Sequence, residues 1–131
     1  MRVLYVEDDP MNRSVVKDML SVVGADMTEA GDAETGLQSI DDGEYDIVLM
    51  DLRMPGMDGL TAIERIRSRG DVKAHWPVIV VTADTSADLR ERCIAKGADE
   101  IILKPIAMSK LLKAMTVLLS STRPANGSLA A

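Results

Sequence analysis

The sequence contains no phenylalanine, one cysteine (Cys93) and one histidine (His75) among its 131 residues. A lone cysteine cannot form a disulfide within the chain, and one cysteine with one histidine cannot build a Cys/His zinc cluster. The longest apolar runs, around 46–50 and 76–83, fall well short of the roughly 20 residues that a membrane helix requires. We therefore expect a cytoplasmic protein without structural zinc, disulfides or a membrane span.

Basic residues are fewer than acidic residues in this chain. The 15 Lys and Arg residues face 21 Asp and Glu residues, and the formal net charge is -6. Because an acidic chain repels polyanions, we expect no direct binding to nucleic acid or to a membrane surface. Apolar residues make up 47% of the chain and include nine methionines, which predicts a small aliphatic core in one domain.

Five short β-rich runs alternate with helical patterns along the chain. The helical stretches carry apolar residues at a spacing of three and four, as in Leu60, Ile63 and Ile66. Several of the β-rich runs are almost continuously apolar, which is typical of parallel strands covered by helices on both faces. The pattern predicts an α/β protein with a doubly wound (βα)5 sandwich. The predicted strands are residues 2–6, 26–30, 46–50, 77–82 and 100–103.

The ends of the elements and of the domain also leave signals. Gly24, Gly43, Gly70 and Gly97 each follow a helical stretch, where a residue in the left-handed conformation commonly ends a helix. From residue 120 onward the sequence "SSTRPANGSLAA" is polar and small and has no periodicity. We predict one domain over residues 1–119 and a disordered tail or linker remnant over residues 120–131.

Polar residues follow four of the five predicted strands. Ligands of a parallel α/β sheet bind at the carboxyl ends of strands, so any strand order that places strand one beside strand three, with strands four and five beyond, gathers these residues on one rim. Three carboxylates repel one another unless a cation joins them, and Mg²⁺ prefers such oxygen ligands. A hydroxyl and an amine beside them suit a phosphoryl group. The residues are Glu7, Asp8, Asp51, Thr82 and Lys104.

These residues, with "MPGMDG" at 54–59 and Pro105 after Lys104, make residues 2 to about 119 resemble the receiver domains of two-component response regulators. The resemblance implies a flavodoxin-like fold whose five-stranded parallel sheet has the order 2-1-3-4-5. It also implies a role for each rim residue. Asp51 would be the phosphoacceptor, Thr82 the switch hydroxyl and Lys104 the charge partner of the phosphoryl group. Asp8, Asp51 and the backbone carbonyl of Arg53 would bind Mg²⁺, with Glu7 acting through water.

The function implied by the resemblance is signalling. Asp51 would accept a phosphoryl group from a phosphohistidine on a sensor histidine kinase or a histidine phosphotransfer protein. The stretch "DPMNR" after the acidic pair is similar to receivers of hybrid kinases and phosphorelays, which favours a phosphotransfer partner at the first helix. Output would pass through the face of helix four, strand five and helix five to an unknown downstream protein. Such a chain is not an enzyme beyond catalysing its own phosphorylation and dephosphorylation.

Two departures from the family pattern leave an alternative open. Ile101 replaces the aromatic residue that usually precedes the lysine by three positions, so the aromatic version of the switch cannot operate. Arg53 and Asp84, two residues past Asp51 and Thr82, occupy the positions that in receivers flank the path of the hydrolytic water. The alternative is a pseudo-receiver that binds partners without phosphorylation, although the acidic pair, the acceptor and the lysine are all present.

Two other classes fit the sequence less well. A phosphatase of the haloacid dehalogenase type needs a second Asp two residues after the nucleophile, where this chain has Arg53. A flavin-binding module of the same topology needs a loop rich in Ser, Thr and Gly after the first strand to hold a phosphate. The loop here is acidic and would repel that phosphate.

Overall fold

The computed structural model describes residues 1–120, which form a single parallel sheet between two layers of helices. The strands are β1 (Arg2–Val6), β2 (Asp26–Ala30), β3 (Ile47–Asp51), β4 (Val78–Thr82) and β5 (Glu100–Leu103). The helices are α1 (Pro10–Val22), α2 (Ala33–Asp42), α3 (Gly59–Arg67), α4 (Leu89–Lys96) and α5 (Met108–Ser120), with a short 3-10 helix at Val72–His75.

The sheet order is β2-β1-β3-β4-β5 and all four strand pairs are parallel. The predicted fold class and strand order are therefore confirmed. The predicted boundaries shift by one residue in two strands, because β3 extends to Asp51 itself and β4 starts at Val78. Ser120, predicted to begin the tail, is the last residue of α5, and residues 121–131 of that prediction lie outside the described residues.

The two faces of the sheet carry separate aliphatic cores. Successive side chains of a strand point to opposite faces, so Tyr5 and Val6 on β1 belong to different cores. The core around Tyr5 is closed by α1 and α5, and the core around Val6 is closed by α2, α3 and α4. The buried helix residues that close the first core include Val16, Leu20, Leu111 and Met115, and those that close the second include Ile40, Ala62, Ile63, Ile66, Leu89 and Cys93.

Aspartates fix the starts of three helices. The side chain of Asp9 accepts a hydrogen bond from the N–H of Met11 at 2.9 Å, and Pro10 follows at the first helical position. Asp32 caps α2 and Asp58 caps α3 in the same way. These caps set the direction in which the chain leaves the carboxyl ends of the strands, where the candidate site lies.

The glycine prediction is correct at two of its four positions. Gly24 (φ 73°) and Gly97 (φ 113°) take the left-handed conformation after α1 and α4. Gly43 instead has φ -133° and is extended, because the chain turns directly toward β3 there. Gly70 is not left-handed either, since α3 already ends at Arg67 and is capped by Ser68. Across residues 1–120 no helix has the length and apolar character needed to cross a membrane.

Candidate functional site

The strand register brings the predicted site residues to one edge of the sheet. Asp51 on β3 is paired with Val81, the neighbour of Thr82, and Thr82 is paired with Leu103, the neighbour of Lys104. Backbone hydrogen bonds continue past the strand ends, from the N–H of Glu7 to the carbonyl of Ala30 and from the N–H of Lys104 to the carbonyl of Thr82. The rim is therefore part of the rigid sheet rather than of a free loop.

Three carboxylates meet at this rim. One carboxylate oxygen each of Glu7, Asp8 and Asp51 lies within 4.8 Å of the other two. Glu7 and Asp51 are 1% and 3% exposed, whereas Asp8 is exposed. Hard oxygen donors at this spacing, with one side open to solvent, suit a small divalent cation that keeps part of its water shell. The donor set fits Mg²⁺.

Lys104 supplies a positive charge to the cluster. Its Nζ lies 2.7 Å from Glu7 Oε1 and 3.4 Å from Asp51 Oδ2. The closer contact is therefore to Glu7 rather than to the predicted phosphoacceptor. One ammonium does not balance three carboxylates, which leaves the cluster in need of further positive charge. The peptide bond between Lys104 and Pro105 is cis.

The two buried carboxylates have pKa values shifted in opposite directions. Burial raises the pKa of Asp51 to about 6, and the neighbouring Glu7 carboxylate adds to this, while Lys104 and the N–H of Arg53 offset only part of it. Burial would also raise the pKa of Glu7, but hydrogen bonds from Lys104 and the N–H of Asp9 outweigh it and lower the pKa to about 2. Near neutral pH Glu7 is held ionised, and of these two carboxylates Asp51 takes up a proton first on acidification.

The loop after β3 packs tightly against Asp51. The N–H of Arg53 donates to Asp51 Oδ1 at 3.3 Å, and the N–H of Gly59 donates to the carbonyl of Leu52 at 3.1 Å. A Cβ on Gly59 would overlap the carbonyl oxygen of Asp51, so only glycine allows α3 to begin this close to the end of β3. The "MPGMDG" segment thereby fixes the position of Asp51.

Thr82 is buried at the end of β4 and its hydroxyl faces its own loop. Thr82 Oγ1 accepts a hydrogen bond from the N–H of Asp84 at 3.1 Å. The Asp84 carboxylate pairs with the Arg53 guanidinium at 3.4 Å and accepts from the N–H of Ser86 at 2.8 Å. The structure thus joins Arg53 and Asp84, and through them the loops after β3 and β4 are linked across the rim.

Sequence reasoning missed several groups that hold Glu7. Tyr5 and Asn12 both donate hydrogen bonds to Glu7 Oε1, and Arg13 donates to the Glu7 backbone carbonyl at 2.6 Å. The sequence does indicate that Tyr5 lies on the same face as Glu7, because residues two apart on an extended strand point to the same face. Ile101, at the position of the family's aromatic residue, is half-buried and packs against the core beneath α2, α3 and α4.

Comparison with known proteins gives consistent matches. The sequence profile of the response regulator receiver domain matches residues 3–116. The sensor histidine kinase RcsC of Escherichia coli K12 is 34% identical over 128 residues, which cover 98% of this chain but 13% of the kinase. The chain therefore spans a small part of the length of that relative. The Mycolicibacterium vanbaalenii response regulator MprA is 35% identical over 127 residues, covering 97% of this chain and 54% of MprA.

Solved structures resemble this one over most of its length. The receiver domain of the Pseudomonas aeruginosa sensor histidine kinase PA1611 has a TM-score of 0.83 and 30% identity, and covers 91% of this chain and 97% of its own. That structure carries a magnesium ion coordinated in its active-site cleft. Both the sequence and the fold comparisons therefore lead to the same class of domain.

Proposed function

This chain belongs to the response regulator receiver domain family, and we propose that it receives a phosphoryl group on Asp51 from a phosphohistidine of a partner protein. Receiver domains are signalling domains rather than classical enzymes. The observation that carries the proposal is the placement of Asp51, which lies buried at the end of β3 beside Glu7, Asp8 and Lys104. A structural carboxylate without a reaction to perform would not need such a crowded setting.

The chemistry follows from the groups around Asp51. A carboxylate oxygen of Asp51 attacks phosphorus in line, an O–P bond forms, and the P–N bond to the donor imidazole breaks, with the electron pair leaving on the imidazole nitrogen. The product on this chain is an acyl phosphate. Lys104 Nζ, 3.4 Å from Asp51 Oδ2, offsets negative charge on the transferring group. The N–H of Arg53 holds Asp51 Oδ1 and orients the attacking carboxylate.

Mg²⁺ is the proposed cofactor, and when bound it would offset charge on the phosphoryl oxygens. We assign Asp8, Asp51 and the backbone carbonyl of Arg53 as ligands, with Glu7 acting through water. The contacts of Glu7 support this division. Glu7 Oε1 already accepts a hydrogen bond from Lys104 at 2.7 Å, whereas Asp8 is exposed and available to a solvated ion.

Phosphorylation would act as a switch through Thr82. The Thr82 hydroxyl would leave the N–H of Asp84 for a phosphoryl oxygen and draw the loop after β4 inward. That movement would alter the face of α4, β5 and α5 and shift the population that binds a downstream protein. The aliphatic Ile101 limits the size of any repacking there. The upstream partner would be a sensor histidine kinase or a histidine phosphotransfer protein, in keeping with the kinase relatives.

Intact-mass measurement tests the proposal directly. The purified chain is incubated with Mg²⁺ and a small phosphodonor, and with a phosphorylated histidine phosphotransfer protein in a parallel sample. We expect the mass of one phosphoryl group to be added in both, and peptide mapping to place it on Asp51. Labelling that is absent with both donors, or that maps to another residue, would rule out the proposal.

A second candidate function is that of a pseudo-receiver, which binds partners without phosphorylation. The ion pair between Arg53 and Asp84, which links the loops after β3 and β4, favours it. Arg53 is 79% exposed in its side chain and the contact is 3.4 Å, so this pair is weak and opens readily. An unlabelled wild-type chain together with a labelled Arg53→Ala variant would favour this second function.

Magnesium is expected to raise the melting temperature of the wild-type chain by several degrees, because it binds the native state selectively. Asp8→Ala removes one proposed ligand and should lose most of this shift. Asp9→Asn is the matched control, because it removes a neighbouring charge while asparagine retains the helix cap. Melting curves with Mg²⁺ and with a chelator measure the effect. Equal shifts in the wild type and in Asp8→Ala would place the ion elsewhere.

A further inference from the structure

The Glu7 carboxylate accepts hydrogen bonds from three groups besides Lys104, its partner in an ion pair. Glu7 Oε1 accepts from Lys104 Nζ at 2.7 Å, from the Tyr5 hydroxyl at 3.1 Å and from Asn12 Nδ2 at 3.4 Å. Glu7 Oε2 accepts from the N–H of Asp9 at 3.2 Å. Since Glu7 is only 1% exposed, water is a poor substitute for any of these donors.

The Lys104 ammonium lies near two carboxylates and is closer to Glu7 than to Asp51. Its Nζ is 2.7 Å from Glu7 but 3.4 Å from Asp51, the proposed acceptor. To contact a phosphoryl group on Asp51, the ammonium has to move away from Glu7. The Lys104 side chain is 20% exposed, so it is not enclosed by the core. The movement would leave the buried Glu7 carboxylate without its closest donor, which is unfavourable.

Tyr5 is the side-chain donor that stays in place during this movement. Tyr5 lies on β1 and Glu7 directly follows its last residue, where the N–H of Glu7 still donates to the carbonyl of Ala30, so the two side chains share one face of the sheet. The Tyr5 side chain is fully buried in the core closed by α1 and α5, so its ring cannot follow Lys104. Asn12 is farther from Glu7 and lies on a helix at the edge of the site. Burial and the Glu7 carboxylate raise the pKa of the Tyr5 hydroxyl, so it remains a donor.

We propose that Tyr5 is a positioning residue, whose hydroxyl holds the Glu7 carboxylate in place while Lys104 moves to the phosphoryl group on Asp51. The inference rests on the proposed phosphorylation of Asp51 and deepens it. Tyr5 touches neither the donor nor the reacting atoms and acts through Glu7 and Lys104. Without the Tyr5 hydroxyl, Lys104 would remain paired with Glu7. Its positive charge would then not reach the transferring phosphoryl group.

Tyr5→Phe removes the hydroxyl and keeps the ring. Tyr45→Phe is the matched control, since Tyr45 is the other tyrosine of the chain. It lies before the amino end of β3, whereas the site lies at the carboxyl ends of the strands. Labelling by a small phosphodonor with Mg²⁺ is followed by intact mass over a range of donor concentrations. For Tyr5→Phe we expect the maximal rate to fall about tenfold, the scale of one hydrogen bond to a charged group. The donor concentration at half-maximal rate should be unchanged, because Tyr5 does not touch the donor.

A second measurement reports on the hydroxyl itself and uses the wild type. When Lys104 leaves Glu7, the hydrogen bond from Tyr5 should strengthen and shift the near-ultraviolet absorption of tyrosine. We expect this difference band when Mg²⁺ and beryllofluoride, a mimic of the phosphoryl group, are added to the wild type and to Tyr45→Phe. It should be missing in Tyr5→Phe. Because the wild-type spectrum is decisive, the test survives even if Tyr5→Phe folds poorly.

The outcomes separate this inference from the proposed function. If the wild type is labelled on Asp51 but Tyr5→Phe is labelled at the same maximal rate, Tyr5 is not a positioning residue and the proposed function stands. A wild-type spectrum unchanged by beryllofluoride, in a chain that is labelled, has the same meaning. If the wild type is not labelled by any donor, both the proposed function and this inference fail.

Discussion

Replacing Asp51 with asparagine is expected to abolish phosphoryl labelling and, in the absence of metal, to stabilise the fold. An amide is not a nucleophile toward phosphorus, so intact-mass measurement should show no added phosphoryl group. The same substitution removes one of three crowded carboxylates. It leaves Glu7, which already has Lys104 as its partner, with only the Asp8 carboxylate to repel it within the cluster. The proposed phosphoacceptor would thus lower native-state stability in the metal-free protein.

The gain in stability should depend on pH in a defined direction. The pKa of Asp51 is raised from its ordinary 3.8 to about 6, so the folded state binds more protons than the unfolded state between those values. Stability is therefore lost as the pH rises from about 4 to about 6, and above about pH 6 the ionised Asp51 costs up to about 3 kcal/mol. Asp51→Asn should be more stable than the wild type by about 1 to 3 kcal/mol at about pH 7.5, and the difference should vanish near pH 4.

Urea unfolding with a chelator present, repeated from about pH 4 to pH 8, measures this difference. Asp26→Asn is the matched control, because it removes one exposed carboxylate at the amino end of β2, away from the carboxyl ends of the strands where the site lies. The control should keep wild-type labelling and show no comparable gain. If Asp51→Asn is strongly destabilised at neutral pH, repulsion among the three carboxylates does not destabilise the metal-free wild type. If the gain does not change with pH, it comes from something other than the carboxylate charge.

The site could be predicted from sequence because its residues come one by one from the ends of strands. Once β1, β3, β4 and β5 are recognised as parallel, their carboxyl ends share one rim, and the residues after them must be neighbours. The side-chain contacts within the rim were not predictable in this way. Whether Lys104 lies nearer to Glu7 or to Asp51 depends on differences of less than 1 Å between rotamers, which no spacing in the sequence encodes. The sequence places Tyr5 on the same face as Glu7, but it does not show that the Tyr5 hydroxyl contacts the Glu7 carboxylate.

The left-handed glycines show a second limit of prediction. A glycine after a helical pattern gives the approximate end of the helix, but the conformation depends on where the chain goes next. Gly97 takes φ 113° because α4 is followed at once by β5, whereas the chain after Gly43 continues in an extended form toward β3. A Cβ on Gly97 would also collide with the side chain of Arg67, which lies on α3 thirty residues earlier. That requirement is a tertiary one and is invisible in the local sequence.

Arg67 is the clearest example of a structural role hidden in the sequence. It belongs to "RIRSRG", in which three arginines alternate at the end of a helical pattern and read as similar surface cations. In the structure the Arg67 guanidinium donates to the backbone carbonyls of Gly97 (2.9 Å), Ala74 (2.8 Å) and Trp76 (2.8 Å). It also pairs with Asp99 at 2.9 Å, whose carboxylate accepts from the N–H of Val78 at 2.8 Å. One side chain thus joins α3, the 3-10 helix, and the segments that lead into β4 and β5.

Arg67→Ala is expected to destabilise the fold by about 3 kcal/mol. The Arg67 side chain is 22% exposed, so water replaces its hydrogen bonds only in part, and hydrogen bonds to charged groups contribute about 1.5–3 kcal/mol each before that discount. The variant would also leave the Asp99 carboxylate without the Arg67 cation. Arg67→Lys should recover at most half of the loss, because a single ammonium cannot span the four acceptors of a planar guanidinium. Urea unfolding gives both values.

Arg65→Ala is the control for this prediction, because Arg65 is exposed on the same helix two residues earlier. It removes the same side chain and the same charge and should change the free energy of unfolding by less than about 0.5 kcal/mol. Similar losses in the two variants would mean that helix propensity or overall charge, rather than the guanidinium contacts, sets the effect. Because Arg67 supports the amino ends of β4 and β5 and the proposed phosphoryl site lies at their carboxyl ends, the folded fraction of Arg67→Ala should still be labelled on Asp51. Stability and phosphoryl transfer are then separable within one sheet.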